Sequence, residues 1–272
     1  MPEGRARRAT GSGGASRGGG RRAAAGSDAV RRDSRPGRPD ARARNDVAQV
    51  AVPDLPEEAQ ADLLEPAVRD AVAGLGGPLA HFVGRHLAAA GLFLDRDPER
   101  ALAHAKAAKS KAPRLAQARE ILGISAYAAG DFALARSELR AARRITGTVD
   151  LLPMLADCER GLGHPERALA VAAEPDARRL GPDERIELAI VVAGARRDLG
   201  EYRAAVQTLT LPALKTDNPN PTTIRLWYAY ADALVSAGRQ DEASRYFEKV
   251  VRADAEETTD AVLRLTELAA IP

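Results

Sequence analysis

The stretch from Leu122 to Ala142 constrains the fold more than any other part of the chain. It reads L-G-I-S-A-Y-A-A-G-D-F-A-L-A-R-S-E-L-R-A-A, with apolar residues at helical spacing on both sides of the turn Gly130-Asp131. Glycine readily adopts the left-handed conformation that ends a helix, and aspartate can cap the helix that follows. This stretch is therefore predicted to form two antiparallel helices joined by a tight turn.

The same arrangement recurs along the chain. Its marker is a small residue a few positions after each turn, where the two helices of a hairpin must approach closely. The marker residues are separated by 34, 33, 37 and 38 positions, and they are Ala101, Ala135, Ala168, Ala205 and Ala243. Each follows a turn built from Gly, Asp or Pro, which are residues that end one helix and begin the next. Five turns predict five helical hairpins.

These residues resemble the tetratricopeptide repeat (TPR), a helical hairpin of about 34 residues with a Leu-Gly pair and an aromatic residue in its first helix. The second hairpin matches best, and the fifth places Trp227, Ala231, Ala243 and Phe247 where the family has its Trp, Gly, first Ala and Phe. The Ala- and Arg-rich composition is also similar to that of small actinobacterial TPR proteins. The resemblance covers residues 79–272 and implies an all-α fold. We expect an α-solenoid of about five hairpins, closed by a capping helix over residues 258–270.

Prolines and glycines predict where this pattern is interrupted. Pro175 should shorten the second helix of the third hairpin, and Pro212 should do the same in the fourth, because proline cannot continue a helix interior. Residues 45–78 are interpreted as a linker and a short amphipathic helix of low regularity, interrupted at Pro66 and stopped by Gly76-Gly77.

Residues 1–44 form a basic arm of different composition. Twelve arginines and four acidic residues give the arm a formal charge of +8, which leaves −6 for residues 45–272. With almost no large apolar residue, the arm cannot offset its ordering entropy by burial, and we predict that it is disordered. Such an arm can attract nucleic acid, anionic lipid or an acidic protein. The alternative is that 35 arginines against five lysines reflect a GC-rich genome, or that the start of translation lies downstream.

Several function classes are disfavoured by what the sequence contains. The single Cys158 excludes an internal disulfide and a multi-cysteine metal site, and the four histidines show no pair at the i, i+4 spacing of a shared metal site. No glycine-rich phosphate loop, export signal or membrane-length apolar run is found. We therefore expect a cytoplasmic, non-enzymatic protein with no cofactor, no metal, no membrane association and no small-molecule substrate.

The resemblance implies that the first helix of each hairpin lines a concave groove that binds a protein or peptide partner. Counting back from each turn gives candidate groove residues, which are His86, Phe93, Gln117, Glu120, Tyr127, Asp157, Arg160, Glu187, Arg197, Arg225, Tyr228 and Asp232. Tyr127 and Tyr228 are either ligand anchors or packing residues between hairpins. The groove positions also include Ile124, Asp150 and Ile190, and acidic residues outnumber basic ones in this full set, so a mixed or basic peptide would suit this groove.

Three functions remain open at this stage. The first is a protein-interaction scaffold that uses the groove. The second is a nucleic-acid-associated adaptor that uses the basic arm, although the arm has no aromatic residue to stack on bases. The third is an assembly protein that associates with itself through an imperfectly capped end.

Overall fold

The computed structural model describes residues 52–256 and 258–270, and the predicted arm at residues 1–44 lies outside them. Every regular element of the described residues is helical, as the sequence predicted. The twelve α-helices of these ranges are α1 (Pro66–Ala73), α2 (Gly77–Phe93), α3 (Pro98–Lys111), α4 (Ala116–Ala128), α5 (Phe132–Thr146), α6 (Leu152–Gly161), α7 (Pro165–Ala172), α8 (Pro182–Asp198), α9 (Tyr202–Leu209), α10 (Pro221–Ser236), α11 (Gln240–Ala253) and α12 (Ala261–Ala269).

Helices α2 to α11 form five hairpins, and four of them turn in the same way. Gly130 ends the first helix of the second hairpin with a φ of 77°, and the N–H of Asp131 donates to the Ala126 carbonyl at 2.8 Å. This is the Schellman arrangement, which satisfies a carbonyl that the helix end would leave unpaired. Gly163, Gly200 and Gly238 repeat the positive φ in the next three hairpins.

The first hairpin turns without glycine. Asp97 caps α3 instead, because its carboxylate accepts a hydrogen bond from the Arg100 N–H at 3.1 Å and Pro98 begins the helix.

The small marker residue a few positions after each turn is buried, as the sequence predicted. The five marker alanines are fully buried, as expected for residues where two helices approach closely, and they are Ala101, Ala135, Ala168, Ala205 and Ala243.

Proline positions set the helix lengths. Helix α7 ends at Ala172 and a short 3-10 turn follows from Pro175, while α9 ends at Leu209 before a similar turn from Pro212. Pro66 behaves differently from the prediction. It begins α1 rather than interrupting a longer helix, because proline at the first position loses no intrahelical hydrogen bond.

The hairpins stack side by side in chain order. The second helix of each hairpin packs against the first helix of the next, and first helices also contact each other, as α6 contacts α8 and α8 contacts α10. Helix α12 packs on α11 and covers the last hairpin, as predicted for a capping helix. Within the described ranges, no helix has the length and apolar character needed to cross a membrane.

Candidate functional site

The first helices of successive hairpins are joined by polar side chains that reach from one hairpin to the next. The Tyr127 hydroxyl on α4 donates to the Asp157 carboxylate on α6. Arg160 on α6 donates from Nη1 to Asp157 Oδ1 at 2.8 Å and from Nε to Asp198 Oδ2 on α8 at 2.7 Å. These contacts place residues of α4, α6 and α8 on one surface, and we call the surface formed by α4, α6, α8 and α10 the first-helix face.

The same pattern continues toward the C-terminal hairpins. Glu187 on α8 accepts from Arg225 Nε on α10 at 2.9 Å. Arg197 on α8 donates to Asp232 on α10, and the other oxygen of Asp232 accepts from Arg264 Nη2 on α12 at 2.7 Å. Most charges on this part of the face are therefore neutralised by a partner in the neighbouring hairpin.

Both tyrosines of the face have committed hydroxyls. Tyr228 donates to Asp260 Oδ1 at 2.5 Å, and its ring packs edge-on against Phe247 with centroids 5.5 Å apart. Burial raises the pKa of Tyr127 and of Tyr228, and the hydrogen bond to an aspartate raises each further. Tyr127 thus links two hairpins and Tyr228 links the last hairpin to the start of α12, each through a protonated hydroxyl, while their rings take part in apolar packing.

One concave site on the face retains negative charge. A cavity of about 320 Å³ lies where α4, the segment before α6, α6 and α8 meet. We call it the acidic cavity, and its lining residues are Tyr127, Asp150, Pro153, Met154, Asp157, Glu184, Glu187 and Val191.

The four carboxylates of the acidic cavity differ in their partners. Asp157 accepts from Arg160 on its own helix, and Glu187 accepts from Arg225 on the neighbouring hairpin. Asp150 and Glu184 have no lysine or arginine within ion-pair distance among the described residues. Nearby Glu120 is half-buried, and burial together with the charge of Asp150 raises the pKa of its carboxyl. The cavity can therefore stabilise a positive charge brought by a ligand.

Comparison with solved structures identifies the architecture. A thermophilic TPR protein of Thermus thermophilus superposes with a TM-score of 0.53 at 22% sequence identity, over 66% of this chain and 94% of that one. This is the TPR fold. The Pseudomonas aeruginosa protein PilF superposes with a TM-score of 0.49 at 18% identity, over 75% of this chain and 97% of that one. No family model and no curated protein matches the sequence.

The TPR register that was predicted for the first hairpin is corrected by the structure. His86 is only 1% exposed, and its Nδ1 lies 3.0 Å from Nδ1 of His104 on α3, so it does not face a groove. Phe93 also faces α3, because its ring stacks on His104 and lies 3.9 Å below the Arg100 guanidinium. The first turn has no glycine to mark the end of the helix, and a shift of one residue rotates a helical position by about 100°.

The predicted residues of the other TPR hairpins are brought together to different degrees. Tyr127, Asp157 and Glu187 line the acidic cavity. Gln117 and Glu120 are half-buried on α4. The remaining predicted residues lie in the pairs described above, which join neighbouring hairpins or join the last hairpin to α12, and they are Arg160, Arg197, Arg225, Tyr228 and Asp232.

Sequence reasoning missed several partners on this face. Glu184 lines the acidic cavity, Asp198 accepts a hydrogen bond between two hairpins, and Asp260 and Arg264 join α10 to the capping helix α12. In the sequence, Asp198, Asp260 and Arg264 each lie about one TPR period after an opposite charge or a tyrosine, and this spacing could have identified them. Asp198, for example, lies 38 residues after Arg160.

Cys158 on α6 faces the core of the TPR array. Its side chain is fully buried, and burial together with the neighbouring Asp157 and Glu159 charges raises the pKa of the thiol to about 12. A thiol with this pKa stays protonated at neutral pH, and the thiolate is the reactive form. The structure therefore favours a packing role for Cys158.

Proposed function

We propose that this chain is a protein-interaction scaffold that binds a peptide segment of a partner on its first-helix face. The segment carries a lysine or arginine side chain, which enters the acidic cavity. The observation that carries the proposal is a cavity with two carboxylates, Asp150 and Glu184, that have no cationic partner among the described residues.

The chemistry of the cavity wall supports a peptide side chain. Met154, Pro153 and Val191 give the cavity an apolar lining, against which the methylene stem of a lysine or arginine can pack. The carboxylates would then meet the charged end of that side chain. A charge-assisted hydrogen bond formed in a partly buried site is stronger than a neutral one.

Repulsion between neighbouring carboxylates also favours binding of a cationic side chain. Burial raises the pKa of Glu120, and repulsion by the Asp150 carboxylate raises it further. A cation placed between carboxylates lowers that repulsion, so part of the binding free energy comes from relief of like-charge contact. The neighbouring arginine pairs do not contribute such a gain, because Asp157 and Glu187 already have partners.

A peptide selection tests the proposal. The full chain is immobilised and used to select binders from a random peptide library displayed on phage. The selected peptides should be enriched in lysine or arginine beside apolar residues. The double variant Asp150→Asn, Glu184→Gln should weaken binding of a selected peptide about tenfold or more, since a hydrogen bond to a charged group contributes about 1.5–3 kcal/mol.

The matched control changes the same chemical groups elsewhere. Glu166 and Asp241 are exposed in the first turns of α7 and α11, which are second helices of their hairpins. The double variant Asp241→Asn, Glu166→Gln has the same change in net charge, and it should bind the selected peptide as the wild type does. Equal affinity of the two double variants, or selection without basic residues, would refute the proposal.

A further inference from the structure

Positive charge is concentrated in the part of the chain that runs from α3 to the end of α5. Residues 98–147 contain ten lysines and arginines and four acidic residues, a formal charge of +6. Residues 45–272 as a whole carry −6, so the rest of this range carries −12. Eight of the ten cations lie on α3 and α5, which are second helices of their hairpins. These two helices therefore present a local charge of opposite sign to the net charge of residues 45–272.

Ion pairs hold α3 and α5 side by side. Glu138 on α5 is buried, and its carboxylate lies 3.1 Å from Lys109 Nζ on α3 and 2.7 Å from Arg119 Nη1 on α4. One buried carboxylate thus holds two cations, and one positive charge remains in excess. We call the surface formed by α3, α5 and the loop residue Arg114 the basic surface. It lies on second helices, whereas the proposed peptide site lies on the first-helix face.

A second buried carboxylate fixes two arginines of α5 in the same way. Glu159 on α6 is 1% exposed, and its two oxygens accept from Arg136 Nη1 at 3.0 Å and from Arg140 Nη2 at 2.7 Å. Each guanidinium uses one of its five N–H donors for Glu159, so other donors remain for an anion. The side chain of Arg140 is 48% exposed. The two arginines are therefore held in place before an anionic ligand arrives.

Further cations of the basic surface have no carboxylate within ion-pair distance among the described residues. They are Lys106, Lys111, Arg114 and Arg144. The two acidic residues of α3 and α5 do not offset them, because Glu99 lies in the first turn of α3 and Glu138 is buried between its own partners. The basic surface thus attracts a ligand that carries several negative charges.

The uncharged side chains of the basic surface favour a nucleic acid over an acidic protein. Between the cations lie small residues such as Ser110, Ala133 and Ser137, and Ile145 is the one exposed large apolar residue of α3 and α5, both of which the structure describes in full. Protein interfaces depend on buried aromatic and aliphatic anchors. A phosphate backbone needs none, because lysine and arginine contacts supply most of its affinity.

The same lining favours a duplex over a single strand. Proteins hold single strands by stacking bases on aromatic side chains. The one Phe, Tyr or Trp of α3 and α5 is Phe132, whose ring packs against Tyr127 with centroids 5.7 Å apart. A duplex encloses its bases and presents its phosphates. We infer that the basic surface binds the phosphate backbone of a nucleic-acid duplex without reading its base sequence.

The salt dependence of binding tests the inference. The full chain is titrated into a fluorescein-labelled DNA duplex of about 20 base pairs at several NaCl concentrations, and fluorescence anisotropy gives the association constant. The triple variant Lys111→Gln, Arg114→Gln, Arg144→Gln removes three exposed cations and leaves the ion pairs of Glu138 and Glu159 intact. The slope of log association constant against log salt should become less steep by about 2–3, because each phosphate contact contributes about 0.9. At about 50 mM NaCl the affinity should fall at least tenfold.

The matched control removes the same charges from later hairpins. The triple variant Lys215→Gln, Arg203→Gln, Arg245→Gln changes three exposed cations that have no carboxylate within ion-pair distance among the described residues. Its slope should stay within about 0.5 of the wild-type slope. Residues 1–44 are the same in every protein, so their arginines do not affect the difference between slopes. An unchanged slope in the first triple variant, or an equal change in both, would overturn the inference.

Two competitors test the class of the ligand. Poly-L-glutamate should displace the labelled duplex only at a higher concentration of charge, and displacement at equal charge would assign the basic surface to an acidic protein instead. A single strand of the same length should bind more weakly than the duplex, and tighter binding would overturn the assignment to a duplex. The double variant Asp150→Asn, Glu184→Gln should keep the wild-type slope, so failure of the proposed peptide site leaves this result unaffected.

Discussion

Substitution of Gly123 by alanine should show how closely the two helices of the second hairpin approach. Gly123 lies on α4 against α5. A Cβ atom there would lie 2.6 Å from Leu139 Cγ, 2.7 Å from its Cδ2 and 3.2 Å from its backbone nitrogen. Leu139 is fully buried, so its side chain has no free space into which it can move. Gly123→Ala must therefore separate α4 from α5 or force Leu139 out of its rotamer.

The expected loss follows from two opposing effects. Overpacking of a core costs about 1–3 kcal/mol, whereas replacing a helical glycine by alanine gains about 0.5–1 kcal/mol. The midpoints of the two ranges differ by a loss of about 1 kcal/mol in the free energy of unfolding. Gly91→Ala makes the same chemical change in α2, where the new Cβ atom meets nothing within 4 Å. That variant should gain about 0.5–1 kcal/mol.

Urea unfolding followed by circular dichroism measures both variants. The unfolding midpoint should fall for Gly123→Ala and rise for Gly91→Ala, with similar slopes for the two transitions. In thermal unfolding, a change of 1 kcal/mol corresponds to a shift of about 2–4 °C for a chain of this size. The reasoning is refuted if Gly123→Ala is as stable as the wild type, or if both variants lose stability to the same extent.

Three further predictions concern buried and paired polar groups. Ser125→Ala should raise the free energy of unfolding by about 1 kcal/mol in urea, because it removes a buried hydroxyl without a partner; a loss of stability would contradict this. Burial and the neighbouring His104 lower the pKa of His86 to about 4, below the 6.5 of an exposed histidine, so the unfolded chain binds more protons between these values. Stability should therefore fall as the pH is lowered from about 6.5 to about 4, and His86→Leu should lose less stability over this interval than the wild type does. Asp232→Ala should lower the free energy of unfolding by about 1–2 kcal/mol, because two partly buried arginines lose their acceptor. Glu248→Ala removes one partner of an exposed pair within α11 and should change the unfolding midpoint little.

The hairpins could be predicted from the sequence because the signals that form them are local. Gly130 and Asp131 specify a helix end and the next helix start within two residues. Ala135 marks the close contact of the two helices through its size alone. Such signals act within one hairpin, so their spacing along the chain gives the number of hairpins without knowledge of how they stack.

The placement of surface side chains required more than local signals. His86 and Phe93 were assigned to the wrong side of α2, because the first hairpin lacks the glycine that fixes the count in the others. The pair of Arg160 and Asp198 depends on how two hairpins stack, since its residues are 38 positions apart. Loops between the hairpins differ in length, so no constant offset along the sequence predicts all of these pairs.

The pairing of charges along the first-helix face decides where a cationic ligand can bind. Toward the C-terminal hairpins, arginines neutralise most carboxylates of the first-helix face, which leaves Asp150 and Glu184 as the place where negative charge is concentrated. A cationic side chain of a partner should therefore be drawn to the acidic cavity rather than to the paired charges of α10.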